Sequence, residues 1–593
     1  MENIELNLNT ALDLISKEQF VEAKEILKNI IEKDNTNTEA LKNLGLCEVN
    51  LDNPTEAIKA FEEVYKLNKN DTTSTFYLAN CYSSTGQKEK AIEKFKEVLA
   101  LRPDYIDVYK SLAMLYVEEG SVDKAIETIL NGINNPNIEA DYTMYYIIAT
   151  SYMLKKDNKN AITYLTKAIE LNQENLSLLN SLAVCYMNVQ EFDKSKEILE
   201  IAYNQDPKNT LTLYNFGILY QTLKDFKTAM TYFQKSYEIE PTTTMLLTLA
   251  FCAYQAQEFP IAKMLYQNII QAYPNNIEHR KTYVEILDNL REYSEALENL
   301  NLILELDPKN PVLLKKKGTF LRKLGLNEEA INVFSALVKR GKIDVEVYYN
   351  LAFCYVEMEN FDNAKEMFKK CIILEPNNPY AHKDLGVLYL KMNCYDWAVD
   401  EIKKAIELED DVAEFHYSLG VAYMMLSKID EAKVALETSL KLDNKNPDAL
   451  AYYGYILMLD NEYEKALAVL QMSLKIDAAN FLAKTHIAKL YFKIQKYDIA
   501  KQFLLDIVSS TKDDETMNML AVCYMQTGEV ENAMGIFYKL AQKYPKNHIL
   551  LTNLAHCEYK CDKKKEALEH IRQALMIFDD YQEALDLLEE ING

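Results

Sequence analysis

A small residue returns at a nearly constant interval along the chain. It stands at Ala23, Ala57, Ala91, Ala125, Ala161, Ser195, Ala229, Ala262, Ala296, Ala330, Ala364, Ala398, Ala432, Ala466, Ala500, Ala533 and Ala567, in steps of 34 residues apart from one of 36 and two of 33. A beat of this length means that each period is one supersecondary unit, unable to bury its apolar side alone and stacked on copies of itself. Other residue types hold fixed phases to it. A second small residue lies twelve before the first in sixteen of the seventeen periods, and only Val284 departs. Tyr stands nine before it ten times, the residue four after it is apolar in every period, and Pro stands twelve after it in seven.

These spacings predict two helices per period. Positions 16, 13, 12 and 9 before the small residue form an i, i+3, i+4, i+7 stripe, so they share one helical face. The small residue and the positions four and seven after it form the facing stripe of a second helix. Gly or a polar residue five before the small residue marks the turn between them, as at Gly86, Gly120, Gly325 and Gly528. The two small residues let the helix backbones approach closely, and the later Pro ends the unit. With only 14 Gly and 13 Pro in 593 residues, the chain lacks the turn chemistry of sandwiches, barrels and Gly-rich nucleotide loops.

The pattern resembles the tetratricopeptide repeat family in period, paired small residues, aromatic and closing proline, with seventeen copies over residues 4–581. The family's Trp early in the first helix is replaced by residues such as Leu41, Tyr109, Tyr348 and His382, and the lone Trp397 precedes a small residue instead. The resemblance implies an all-α fold, a right-handed superhelical solenoid of antiparallel helix pairs making roughly two turns, its concave face lined by the first helix of each pair. Residues 582–593 read as a capping helix, with Leu585 and Leu588 placed to pack and Glu589 where the small residue would stand.

The family's concave face supplies the candidate binding site, an adaptable groove of aromatic, Met and aliphatic side chains. Fifteen before the small residue stand Phe76, Tyr146, Tyr214, Tyr349 and Tyr417; eleven before, Ile218 and Phe353; eight before, Met153, Met187 and Met424. The expected partners are peptide or helix segments of other proteins. In chaperone-adaptor members of the family, Lys fifteen before and Asn eleven before grip a C-terminal carboxylate. Here Lys42 meets Leu46, Lys110 meets Met114, Lys281 meets Glu285, Lys315 meets Thr319 and Lys383 meets Val387, so no repeat carries the pair. Asn9, Asn43, Asn215, Asn350 and Asn553 echo family asparagines that bind a partner's backbone, but they form no continuous ladder.

The repeats leave no room for a catalytic domain, and no G-x-x-x-x-G-K-[ST], G-x-S-x-G or H-E-x-x-H motif is present. We expect a non-enzymatic scaffold with no catalytic residues, no cofactor and no metal; the alternative is a substrate-recruiting subunit whose glycosyltransferase- or peptidase-type chemistry sits on another chain. Cys47, Cys81, Cys185, Cys252, Cys354, Cys523 and Cys557 all lie ten before a small residue, which makes them packing spacers, and buried thiols favour a reducing compartment. The net charge of −25 disfavours nucleic acid as partner. The first ten residues lack the basic and apolar run of a signal peptide, and no 18-residue apolar run exists, so we expect a cytoplasmic chain without membrane insertion. The sequence is silent on oligomeric state.

One stretch is irregular. Lys317 replaces an apolar residue, and Lys315, Lys316, Arg322, Lys323, Lys339, Arg340 and Lys342 crowd around it. This basic patch is expected either to dock an acidic partner, in which case binding falls with salt, or to mark a joint where two sub-stacks meet near 277–344. The 36-residue step near Asn134–Ile138 reads as a longer loop.

Overall fold

The computed structural model describes residues 2–341, 344–511 and 513–592. Among the described residues there are thirty-five α-helices and no strand. They alternate as the period requires. The first helix of a repeat, here the A helix, is thirteen residues long in most repeats, as in Thr72–Ser84. The second, the B helix, is mostly fourteen, as in Lys88–Leu101.

The turn between A and B is the same everywhere. In all seventeen repeats the residue five before the small one has positive φ, from Asp52 at 55° to Gly528 at 85°. Only four of these residues are Gly; thirteen are side chains such as Lys156, Gln190, Asn393 and Asp562 held in the left-handed region. The backbone compensates. In the third repeat, Gln87 N–H donates to Tyr82 C=O at 2.8 Å and Gly86 N–H to Ser83 C=O at 3.0 Å, which satisfies carbonyls the A helix leaves open. Fourteen A helices begin on an Asn, Asp or Thr whose side chain accepts a backbone N–H, among them Asn37, Asp141, Asn209 and Asn446.

The paired small residues set the A–B joint. At Gly45, Gly217 and Gly318 an added Cβ would lie within 2.6 Å of the ring of Phe61, Phe233 and Phe334, the aromatic four after the small residue. Those three rings are among the largest fully buried side chains of the chain. Ser195, the one hydroxyl among the markers, donates to Ala183 C=O across the joint at 2.9 Å.

The chain divides into two compact units, Met1–Glu292 and Tyr293–Gly593, the division falling between the A and B helices of the ninth repeat. Each unit is a stack of helix pairs. Within a unit each B helix packs on the A helix that follows it, and successive A helices also touch one another. In the first unit the B helix Val122–Ile133 is short, and eight residues separate it from the A helix starting at Tyr142, which accounts for the 36-residue step.

The last helix, Gln582–Asn592, packs one face round from expectation. Its buried residues are Ala584, Leu587 and Ile591, while Leu585 and Leu588 are half-buried. The buried three occupy the side that meets the preceding repeat. Leu588 also packs, partly buried, against the same core of Ala555, Ala567 and Ile571. Gly593 and Lys342 lie outside the described residues.

Candidate functional site

All ten groove residues sit on A helices, and none is fully exposed. Phe76, Tyr146, Met153, Tyr214, Ile218, Tyr349, Phe353, Tyr417 and Met424 are half-buried, and Met187 is buried. Packing against neighbouring A helices and against the B helix of the same repeat accounts for this. Met187 joins a core with Phe216 and Leu219 of the next A helix. Tyr349, Phe353 and Phe368 form a triad with ring centroids 5.4–5.6 Å apart. The Tyr349 hydroxyl also donates to the Asp384 carboxylate one repeat on; burial first and that carboxylate second raise its pKa. Tyr417, packed 6.3 Å from Tyr452, is likewise raised by burial.

The side chains that stand most open on this face lie eleven before the small residue. Met114 is 54 % exposed and Phe251 39 %, whereas Val184, Ile218 and Phe353 are half-buried. Even there B helices are in reach: the Phe353 ring lies 5.6 Å from Phe368 of its own B helix, and Phe251 lies 6.2 Å from Phe226 of the preceding one. Eleven of the seventeen residues at this position are apolar, and Asn80, Thr150, Glu285, Thr319, Lys489 and His556 interrupt the ridge they make.

Four of the five lysines at the position a carboxylate grip would use are engaged by the protein itself. Lys110 pairs with Asp141 at 2.5 Å, and Lys315 with Asp344 at 2.9 Å and Glu346 at 2.5 Å. Lys383 pairs with Asp384 at 2.7 Å and Glu414 at 2.8 Å. Burial works against the Lys383 ammonium, but the two carboxylates outweigh it and raise its pKa. Each of these lysines thus ties one A helix to the next. Lys281 pairs within its own helix with Glu278 at 2.8 Å.

The family-like asparagines are similarly occupied. Asn43, Asn215 and Asn350 are buried. Asn215 donates to Asn180 at 2.9 Å, and Asn180 donates to Thr212 at 2.9 Å, a small network across two repeats. Asn350 accepts from Arg322 Nε at 2.8 Å.

Several members of the basic patch have partners of their own. Lys315 is paired as above, Lys316 lies over the Phe320 ring at 5.7 Å, and Arg322 lies over Phe353 at 5.7 Å. Lys317 is half-buried; Lys323, Lys339 and Arg340 are exposed. Beside them a cavity of about 810 Å³ is lined by Pro311, Val312, Lys315, Asp344 and Glu346, among others.

The seven cysteines of the repeat pattern are buried free thiols, and burial pushes Cys185 up to about 11 and Cys252 up to about 12. Such thiols are protonated and inert near neutral pH. No described helix is long and apolar enough to cross a membrane.

Family models described as "Tetratricopeptide repeat" match residues 50–184, 212–243, 245–276, 345–378 and 417–481, together about half of the chain. A model described as "Coatomer epsilon subunit" matches 452–588. The Hsp70-Hsp90 organizing protein of Triticum aestivum is 24 % identical over 222 residues, 37 % of this chain and 33 % of that protein. The TPR repeat protein oca3 of Schizosaccharomyces pombe is 25 % identical over 129 residues, 22 % of this chain and 46 % of that one. The chain therefore spans about a third to a half of the length of these curated relatives. Among solved structures, the Cut9–Hcn1 hetero-tetramer of APC/C aligns at TM-score 0.36 and 15 % identity, covering 82 % of this chain and 96 % of that one. YrrB, a TPR protein with an unusual peptide-binding site, aligns at TM-score 0.28 and 22 % identity, covering 32 % and 96 %. With its repeat models spread from residue 50 to residue 481, its 34-residue period and its helix pairs joined by one recurring turn, the chain belongs to the tetratricopeptide repeat family.

Proposed function

We propose that this chain is a protein-interaction scaffold that receives peptide segments of other proteins along the A-helix face. The observation that carries the reading is the interrupted apolar ridge eleven before the small residue, apolar in eleven of the seventeen repeats. Met114 and Phe251 stand open on it, with Val184, Ile218 and Phe353 in line. Aromatic, Met and aliphatic side chains that are partly open and rigidly based make an adaptable contact surface. The Tyr and Met residues beside the ridge are braced by their neighbours, so they shape the floor more than they reach upward.

The relatives named for organising Hsp70 and Hsp90 point to binding of other proteins. The mode differs from capture of a terminal carboxylate, because Lys110, Lys315 and Lys383 are already neutralised by the next repeat. A segment is thus expected to be read along its length and not by its end.

The test is capture of random ten-residue peptides, with free or blocked ends, on the immobilised full chain. Phe251→Asp and Met114→Asp on the A face are compared with Met264→Asp on a B helix, where Met264 is 58 % exposed. The A-face variants are expected to lose retention about tenfold or more, as removal of a central apolar anchor does, with circular dichroism unchanged. Equal retention by all three variants contradicts the reading.

A further inference from the structure

Four consecutive A helices of the first unit carry no ionisable side chain that is charged near neutral pH. They are Tyr142–Leu154 (YTMYYIIATSYML), Leu176–Asn188 (LSLLNSLAVCYMN), Thr210–Thr222 (TLTLYNFGILYQT) and Thr243–Gln255 (TTMLLTLAFCAYQ). The chain as a whole is 26 % charged. The B helices of the same repeats are ordinary in this respect: Phe192–Gln205 alone holds Asp193, Lys194, Lys196, Glu197 and Glu200. The A helices on either side are charged too, with Asp107, Lys110 and Glu118 before the tract and Glu278, Lys281, Glu285 and Asp288 after it.

The tract is not hidden. Leu154 is 59 % exposed, Leu211 49 % and Phe251 39 %. Between these apolar points lie exposed or half-buried neutral polar groups, among them Thr150, Ser177, Thr222 and Thr244.

From this pattern we infer that residues 142–255 dock an extended polypeptide segment free of Asp, Glu, Lys and Arg. The inference rests on the A-face reading above and specifies its occupant. Covering a face is unfavourable for every ion stripped of water without a counter-ion. The helices of this face carry no ions of their own; the charges beside it stand at its edges, where Glu240 accepts from Thr210 at 3.2 Å and Lys155 is paired with Asp123 at 2.5 Å. Neutral polar side chains and the guest's backbone can exchange hydrogen bonds with its Thr, Ser, Asn and Gln residues, and aliphatic or aromatic side chains can meet Ile218 and Phe251. The selection works by penalty: a Lys or Asp in the covered stretch loses its hydration and finds no partner. Neighbouring helix axes lie about 9–10 Å apart, so four side by side span about 30 Å. An extended chain at about 3.3 Å per residue covers that in about nine or ten residues.

The probes are two pools of acetylated, amidated peptides about ten residues long, the length that the tract spans. One is randomised over Ser, Thr, Asn, Gln, Gly, Ala, Val, Leu and Tyr. The other is the same with Lys or Asp fixed at two central positions. Retention on the immobilised full chain is read by mass spectrometry at low and high salt. The neutral pool is expected to be retained about tenfold better, with no salt dependence, since no ion pair is there to be screened. Phe251→Asp, or Thr150→Asp should the first perturb the circular dichroism, is expected to abolish that preference. Charged peptides retained as well as neutral ones overturn the inference while leaving the A-face reading standing. Self-association that Phe251→Asp removes also overturns it, because the occupant is then a second copy. Retention of no peptide of any composition overturns the A-face reading itself.

Discussion

Two glycines of this chain show that the same residue type serves different physics at different phases. Gly217 lies on a closed joint, where an added Cβ would stand 2.5 Å from the Phe233 ring. Gly120 has φ of +76° and nothing within 4 Å of an added Cβ. Gly217→Val is expected to cost about 1–3 kcal/mol through overpacking. Gly120→Ala is expected to cost about 1 kcal/mol through the backbone alone. Asn should rescue position 120, since Asn393 and Asn461 hold the same turn elsewhere, and should not rescue position 217. Urea unfolding of the four variants separates the two causes. His486 offers a second test. It is 8 % exposed, stacked 4.5 Å from Tyr455 and near Tyr452, and neither ring nitrogen has a hydrogen-bond partner among the described residues. Burial first and the Lys489 charge second lower its pKa from 6.5 to about 4. Between those values the unfolded chain binds a proton that the folded chain refuses, so stability falls as pH drops through that window and levels off below it. Wild type should lose about 2 kcal/mol more than His486→Phe between pH about 7 and about 5. Parallel urea midpoints check this; identical losses would contradict it.

At the scale of the helix, capping and inter-repeat hydrogen bonds decide how firmly one A helix holds the next. Asn175 accepts N–H groups from Ser177 and Leu178 at 3.0 and 3.3 Å, and Asn175→Ala is expected to cost about 1 kcal/mol. Asn180→Ala strands the buried Asn215 donor and Thr212, and should cost about 1–3 kcal/mol, more than the cap. The order of their thermal midpoints checks the claim. Helix pairs, the A–B joint and the turn position were all legible in the sequence, because each depends on residues a fixed distance apart within one period. The Asn caps stand there just as plainly, in the Asn fourteen after the small residue at Asn37, Asn175, Asn209 and Asn446. What the period alone cannot reveal is contact between periods. Met187 is buried by Phe216 and Leu219, and Lys315 is held by Asp344 and Glu346, because their partners lie about thirty residues away on another repeat. The exposure of the groove was legible only as a stripe; which members stand open depends on those neighbours.

The whole molecule is built on phase. Each repeat meets only its neighbours, so a stack tolerates loss of an entire period but not loss of half of one. An in-phase loss restores every A helix to a B partner; an out-of-phase loss sets like faces together and leaves apolar stripes uncovered. The most direct test is a pair of deletions in the first unit: residues 196–229, one full period of 34, and residues 213–229, half of one. Followed by far-ultraviolet circular dichroism and urea unfolding, the full-period deletion should keep its helicity per residue and a cooperative transition near that of the parent chain. The half-period deletion should lose helicity and unfold at a clearly lower midpoint. If the two deletions behave alike, the stack of in-phase helix pairs is wrong, and the docking face argued from it goes too.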